Sequence, residues 1–216
     1  MNKVLKFIGI CFVVAAILEL AAIIILMNKK VDKVVINNEV TNEDKYTKRV
    51  EEILADDKEV ERKWLINKNN IPYDLNASDV EIFDIKQTYL CFDPEMRVRD
   101  YNNGQSYEFT IKNNMSDDGL VRDEVNIEIN KKQYNNLVIK QEGKTIHKTR
   151  YQFYDNGQVI AIDIFHGDLD GLAYMEIEFA NEEESKKYQE PNWVIKDVTS
   201  DVRYKNGHLA RYGIPE

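Results

Sequence analysis

From residue 58 to the carboxyl terminus, apolar and polar residues alternate with a period of two, the pattern of strands with two different faces. The alternation predicts eight strands, near 58–67, 80–91, 95–101, 107–113, 121–129, 146–154, 158–166 and 172–179. Asn102-Asn103-Gly104, Asp117-Asp118-Gly119 and Asp155-Asn156-Gly157 stand between strand-like runs and carry hairpin chemistry, so antiparallel pairing follows. The period changes in 131–142 and 181–188, which read as helices capped by Asn130 and Asn181 and packed outside the strands. Upstream, Thr41 and Asp44 form a candidate cap, and Tyr46, Val50, Ile53 and Leu54 recur at helical spacing, predicting a short amphipathic helix.

The amino-terminal pattern is different again. Phe7 to Met27 is apolar apart from Glu19, long enough to span a bilayer, and lacks a small-x-small cleavage site before Asn28. The expected organisation is a membrane anchor over 1–30, a linker over 31–57 and one domain over 58–216. Lys3 and Lys6 precede the apolar run, whereas Lys29, Lys30, Lys33, Lys45, Lys48 and Arg49 follow it. The positive-inside rule therefore predicts a single-pass membrane protein with its domain in the cytoplasm.

The residues that alternate narrow the chemistry. Glu59, Glu61 and Lys63 share a face, with Val60, Arg62 and Trp64 opposite. The same parity groups Arg97 with Arg99; Glu108 with Thr110 and Lys112; Arg122 with Glu124, Asn126 and Glu128; Lys148 with Arg150; and Glu176 with Glu178. Asp163 stands alone against Ile162 and Ile164. One such face is ordinarily the wet side of an antiparallel sheet. Here seven of eight strands carry one, against strongly apolar opposite faces, and few of these positions are the Ser, Thr or Asn of a plain surface. A closed eight-stranded barrel with charges inside and apolar faces under external helices resolves this, and its interior has room for a small ligand.

A net charge of -9 excludes a nucleic-acid coat, so no nucleic-acid partner is expected. Cys11 lies in the apolar run and Cys91 stands alone in the polar part, which excludes a disulfide framework within the domain. No Walker-type loop or Cys-x-x-Cys pair is present, and the three histidines are too scattered for a zinc site. His166 reads as an outward turn residue, and Tyr107, Phe109, Tyr151 and Phe153 read as core beneath the helices. Buried charges need counter-charges. A polyphosphate chelated to a divalent metal supplies both signs: Arg and Lys take the non-bridging oxygens, and clustered carboxylates hold a hard cation.

The run Glu59-Val60-Glu61-Arg62-Lys63-Trp64 resembles the ExExK signature that opens the CYTH domains, also called triphosphate tunnel metalloenzymes. In the family's order follow Ile85 to Leu90, Arg97-Val98-Arg99, Thr110-Ile111-Lys112, Arg122 to Glu128, Lys148 to Tyr151, Asp163 to Gly167, Glu176 to Phe179 and Pro191 to Asn206. The resemblance covers the chain from Lys58 onward. It implies an α+β fold, an eight-stranded antiparallel β-barrel with helices outside, to which the expected transmembrane helix is added. It also implies Mg2+ or Mn2+ held by Glu59, Glu61, Glu176 and Glu178. Phosphates would be gripped by Lys63, Arg97, Arg99, Lys112, Arg122, Lys148 and Arg150. Lys63, Glu124, Glu128 and Asp163 would serve catalysis, the acids through a second metal or the attacking water. Asn126 and Ala161 replace carboxylates common in the family, which points to one-metal chemistry or a weak second site.

The implied activity is hydrolysis of a terminal phosphoanhydride in inorganic triphosphate or a nucleoside triphosphate, with a homodimer allowed for. Two alternatives stay open at this level. One is a class IV adenylate cyclase or thiamine triphosphatase using the same tunnel, and the other a membrane-bound polyphosphate sensor without turnover.

Overall fold

The computed structural model describes residues 41–54, 58–114 and 121–216. Residues from Val40 onward form one compact unit. The strands are β1 (Lys58–Leu65), β2 (Glu81–Phe92), β3 (Glu95–Tyr101), β4 (Ser106–Asn114), β5 (Val121–Ile129), β6 (Glu142–Asp155), β7 (Gln158–His166), β8 (Ala173–Phe179) and β9 (Lys196–Asp197). The helices are α1 (Asn42–Leu54), α2 (Lys131–Val138), α3 (Glu182–Lys187) and α4 (Asn206–Tyr212).

The nine strands form one sheet in the order β5-β4-β3-β2-β6-β7-β8-β1-β9, with antiparallel neighbours. The predicted hairpin turns at Asn102-Asn103 and Asn156-Gly157 have the positive φ that reverses the chain between twisted strands. The third, at 117–119, lies outside the described residues. The sheet bends until β5 meets β1, but only over three pairs, Lys58↔Asp123, Glu59↔Arg122 and Val60↔Val121. The expectation of a fully closed barrel is corrected to an open sheet with a short contact at this seam. The register explains the short seam: Val60 pairs with Val121, where β5 begins, so the two strands overlap only over these three residues. Beyond Val60 that edge of β1 is taken by the carboxyl-terminal segment, through Trp64↔Asp197, Leu65↔Lys196 and the Val198 N–H donated to the Lys63 carbonyl at 2.9 Å.

Period-two alternation sorts two cores. Val60, Trp64, Ile162, Met175, Ile177 and Phe179 face outward, packed under the 67–80 loop, Tyr188 and Trp193. Each side chain of this size contributes about 1.5–3 kcal/mol when fully buried. The second core fills one end of the concave interior: Tyr89, Ile146, Phe165 and Tyr174 point inward and meet Leu209 and Ala210 of α4. Gly143, at φ +69°, allows α4 this close, since a Cβ there would lie 2.6 Å from the Ala210 carbonyl oxygen.

The remaining elements refine the sequence reading. α2 carries the predicted Asn130 cap, closed into a box by Gln133, but ends at Val138, and β6 begins four residues earlier than expected. Asn181 caps α3. α1 carries the predicted Thr41–Asp44 cap, the Asp44 N–H donating to Thr41 Oγ1 at 3.1 Å. It is held by Arg49, which binds Glu184 and donates to Gln158 at 2.8 Å, and by Tyr46, which donates to Glu81 at 2.8 Å and accepts from Gln152 at 2.6 Å.

The single-pass, cytoplasm-facing placement is corrected. Among the described residues no helix is long and apolar enough to cross a membrane, and the run Phe7 to Met27 lies outside them.

Candidate active site

Antiparallel register turns the alternating charges into facing pairs. It sets Glu61 opposite Glu178, Lys63 opposite Glu176, Arg150 opposite Asp163, Lys112 opposite Glu124 and Arg99 opposite Gln87, all on the concave face. Residues as distant in the chain as Glu61 and Glu178 thereby share one interior.

Basic side chains dominate beside the apolar plug. Lys148 and Asp163, both with no exposed surface, form an ion pair, and Arg150 donates to both Asp163 oxygens at 2.7 Å while also binding Glu176. Lys63 reaches Glu176 at 2.9 Å and Glu61 at 3.4 Å, above the Tyr174 ring. Arg97 bonds Glu95 at 2.8 Å, with Glu124 at 3.5 Å. Arg99 donates to Gln87 at 2.9 Å and to Glu108 and Tyr101 at 3.1 Å. Burial and the neighbouring Arg150 press the Lys148 ammonium down to about 8.

Acids dominate where β1, β5 and β8 meet. Lys112 lies 2.6 Å from Glu59 and 2.5 Å from Glu124. Burial, then the charges of Glu124 and Glu61, outweigh Lys112 and push Glu59 up to about 8. Burial and Glu124 likewise push Glu178 up to about 7. Burial acts in the same sense on Glu124 and Glu176, but Lys112 with Arg97, and Lys63 with Arg150, overcome it and hold both well below the usual range.

The structure thus gathers Glu59, Glu61, Lys63, Arg97, Arg99, Lys112, Glu124, Lys148, Arg150, Asp163, Glu176 and Glu178 into one interior. Glu128 sits apart on the exposed rim opposite Glu108, and Arg122 lies opposite Glu59 in register with its side chain outside the described residues. Glu176 is divided between Lys63 and Arg150, whereas Glu178 opposes Glu61. His166 pairs with Thr149 at 2.8 Å, on the outward parity anticipated for it. Sequence reasoning assigned no role to Gln87 or Thr110, both fully buried. Gln87 orients Arg99, and Thr110 ties Glu108 to Asn126 at 3.2 and 2.8 Å. Parity was the signal for Thr110, which lies between Glu108 and Lys112 on an ionic face; Gln87, between Ile85 and Tyr89 on β2, carried no such signal.

The donor chemistry of Glu59, Glu61, Glu124 and Glu178 fits a hard divalent cation: oxygen ligands facing one interior, two of them with pKa raised by burial and by neighbouring like charge. As the side chains stand, no three His, Cys, Asp or Glu among the described residues converge closely enough to hold an ion. Lys112 supplies the positive charge between Glu59 and Glu124.

A pH dependence follows. A carboxyl whose folded pKa lies above its ordinary 4.5 stabilises the fold below that value, and the benefit is lost as pH rises through the folded pKa. The metal-free protein is expected to lose several degrees of Tm between pH 5 and 8, by about the folded values of 7 and 8 for Glu178 and Glu59. Calorimetry with chelator checks this, and added Mg2+ or Mn2+ is expected to flatten the slope.

The family model described as the CYTH domain matches residues 57–211. An inorganic triphosphatase of Nitrosomonas europaea is 33% identical over 156 residues, 70% of this chain and 96% of the relative. One of Acetivibrio thermocellus is 31% identical over 157 residues, 71% and 94% of the two chains. A crystal structure of an inorganic triphosphatase superposes with a TM-score of 0.50 at 32% identity, covering 70% of this chain and 93% of that one. With the matched region running from the start of the ionic strands through α4, the chain belongs to the CYTH domain family.

Proposed function

We propose that the protein hydrolyses the terminal phosphoanhydride of inorganic triphosphate with a divalent metal ion, within the concave interior of its sheet. The observation that carries this reading is the division of one interior into a basic floor, Lys63, Arg97, Arg99, Lys148 and Arg150, and an acidic wall, Glu59, Glu61, Glu124 and Glu178. The floor suits a chain of phosphates, each cation exchanging a carboxylate partner for a non-bridging oxygen. The wall suits the metal, with Glu59, Glu61 and Glu178 as its holders and Glu176 as the group that positions Lys63 and Arg150. Bound there, Mg2+ or Mn2+ would neutralise charge developing on the phosphoryl oxygens. Asp163, bonded on both oxygens by cations, fixes Lys148 and Arg150 rather than meeting water. The triphosphatase names of the two relatives support the substrate class.

The test is phosphate release from inorganic triphosphate with Mg2+, with Mn2+ and with chelator. Arg99→Ala removes a charge-assisted contact, so kcat/KM is expected to fall by about 10- to 100-fold without recovery at high metal. Binding of triphosphate is expected to weaken more than binding of diphosphate. Release that ignores metal, or an Arg99→Ala enzyme with unchanged kinetics, contradicts the reading.

A further inference from the structure

α1 lies before the matched domain, which begins at residue 57, yet it contributes to the interior. A cavity of about 130 Å3 is lined by Val50 and Ile53 of α1 together with Glu61, Arg150, Glu176 and Glu178. These four belong to the ionic array, so the helix and the candidate substrate site share a wall. The opposite end of the interior is filled by Tyr89, Phe165 and Tyr174 with Leu209 of α4. α1 sits at the other end, over the starts of β2 and β7 and the end of β6, latched through Tyr46 to Glu81 and Gln152 and through Arg49 to Gln158 and Glu184. Ile53 and Arg49 are buried in this arrangement, so the helix is packed rather than laid on the surface.

We propose that α1 is a specificity wall: Val50 and Ile53 limit the candidate site to short inorganic polyphosphate and exclude triphosphates that carry a nucleoside. Size is the first argument. Pockets that enclose drug-sized organic ligands run to about 300–1,000 Å3, whereas the space beneath α1 is 130 Å3, enough for a phosphate group and too little for a sugar and base. Chemistry is the second. A ribose and base call for hydrogen-bond partners, and the two residues that α1 contributes to the cavity lining are aliphatic. The third is attachment. Latches to β2, β6, β7 and α3 hold the wall from several sides, so displacing it breaks several hydrogen bonds at once. This inference rests on the triphosphatase reading and specifies its substrate class.

The test compares inorganic triphosphate with ATP in the full chain, using wild type, the unlatched Arg49→Ala/Tyr46→Phe variant and the wall-trimmed Ile53→Ala variant. Wild type is expected to prefer inorganic triphosphate. Both variants are expected to raise the ratio of kcat/KM for ATP over inorganic triphosphate by about tenfold or more, with activity on inorganic triphosphate changed by less than about threefold. Calorimetric binding of a non-hydrolysable ATP analogue should tighten in parallel. If the double variant does not fold, Ile53→Ala decides alone. An unchanged ratio in a cooperatively folding variant, or a wild type that takes ATP as readily as inorganic triphosphate, overturns the wall. Failure of the wild type to hydrolyse either substrate with any divalent metal defeats the parent reading instead, and the binding comparison then still judges the wall.

Discussion

Replacing Glu178 by Gln is expected to lower kcat/KM for inorganic triphosphate by about a hundredfold or more, an effect of the size seen when one preorganised electrostatic contact is deleted. The same substitution should leave the metal-free fold as stable as wild type or more so. Glu178 faces Glu61, and burial with the nearby Glu124 raises its pKa to about 7. In the metal-free protein near neutral pH its ionised form is opposed by its surroundings, and Gln keeps the volume while removing the charge. Excess Mn2+ should recover part of the lost rate. The decisive pair of measurements is Tm with chelator and kcat/KM against metal concentration. A variant that is both less stable and fully active would remove Glu178 from the metal wall. The Tm loss on raising pH should also be smaller in this variant, because one of the two raised carboxyls is gone.

Asp163→Ala is expected to damage stability most. Asp163 has no exposed surface and accepts from both Lys148 and Arg150, so deleting it leaves two cations facing each other in the interior. Breaking a buried pair by removing one partner costs about 3–5 kcal/mol, which for a domain of this size is roughly 6–20 °C in Tm. Lys148 is already pressed toward neutrality and would be pressed further. The additional change Lys148→Met removes one stranded charge and should restore part of the loss, a coupling that a double-mutant cycle reads directly. If Asp163→Ala melts within about 2 °C of wild type, the interior charges are hydrated and the buried-network account fails.

How much of this was legible before any coordinates is clearest from particular residues. Parity assigned Glu59, Lys63, Arg99, Lys112, Lys148 and Glu176 to one interior, because strand alternation is local and survives distortion. Which acid meets which base was not legible, since register depends on loops and bulges between distant strands: nothing near Glu176 announces that Lys63 and Arg150 divide it. The seam was over-read for a related reason. Alternation places β1 and β5 but does not reveal that their register overlaps over only three residues, nor that residues 195–198 bond to Lys63 and Leu65. α4 escaped notice because its seven residues are too few for a helical period to stand out, and its place is set by Gly143 and the apolar plug. α1 was read as a linker helix from its cap and spacing, and only contacts could show Val50 and Ile53 beside Glu61.

The position of β1 has a consequence for how the chain acquires its fold. The first strand of the sheet is bonded to β8 and β9 near the carboxyl terminus and to β5 midway. The β8 and β9 contacts close loops of more than 100 residues, and each requires most of the polypeptide to exist before it can form. On the ribosome, β2 to β5 can pair as successive hairpins and β6 with β7 as another that docks on β2, while β1 waits with its ionic face hydrated and its apolar face, Val60 and Trp64, uncovered. The carboxyl-terminal segment that shares the β1 edge is made after every other strand of the sheet, and its arrival sets the moment at which the nascent chain stops offering that edge to other unfolded strands.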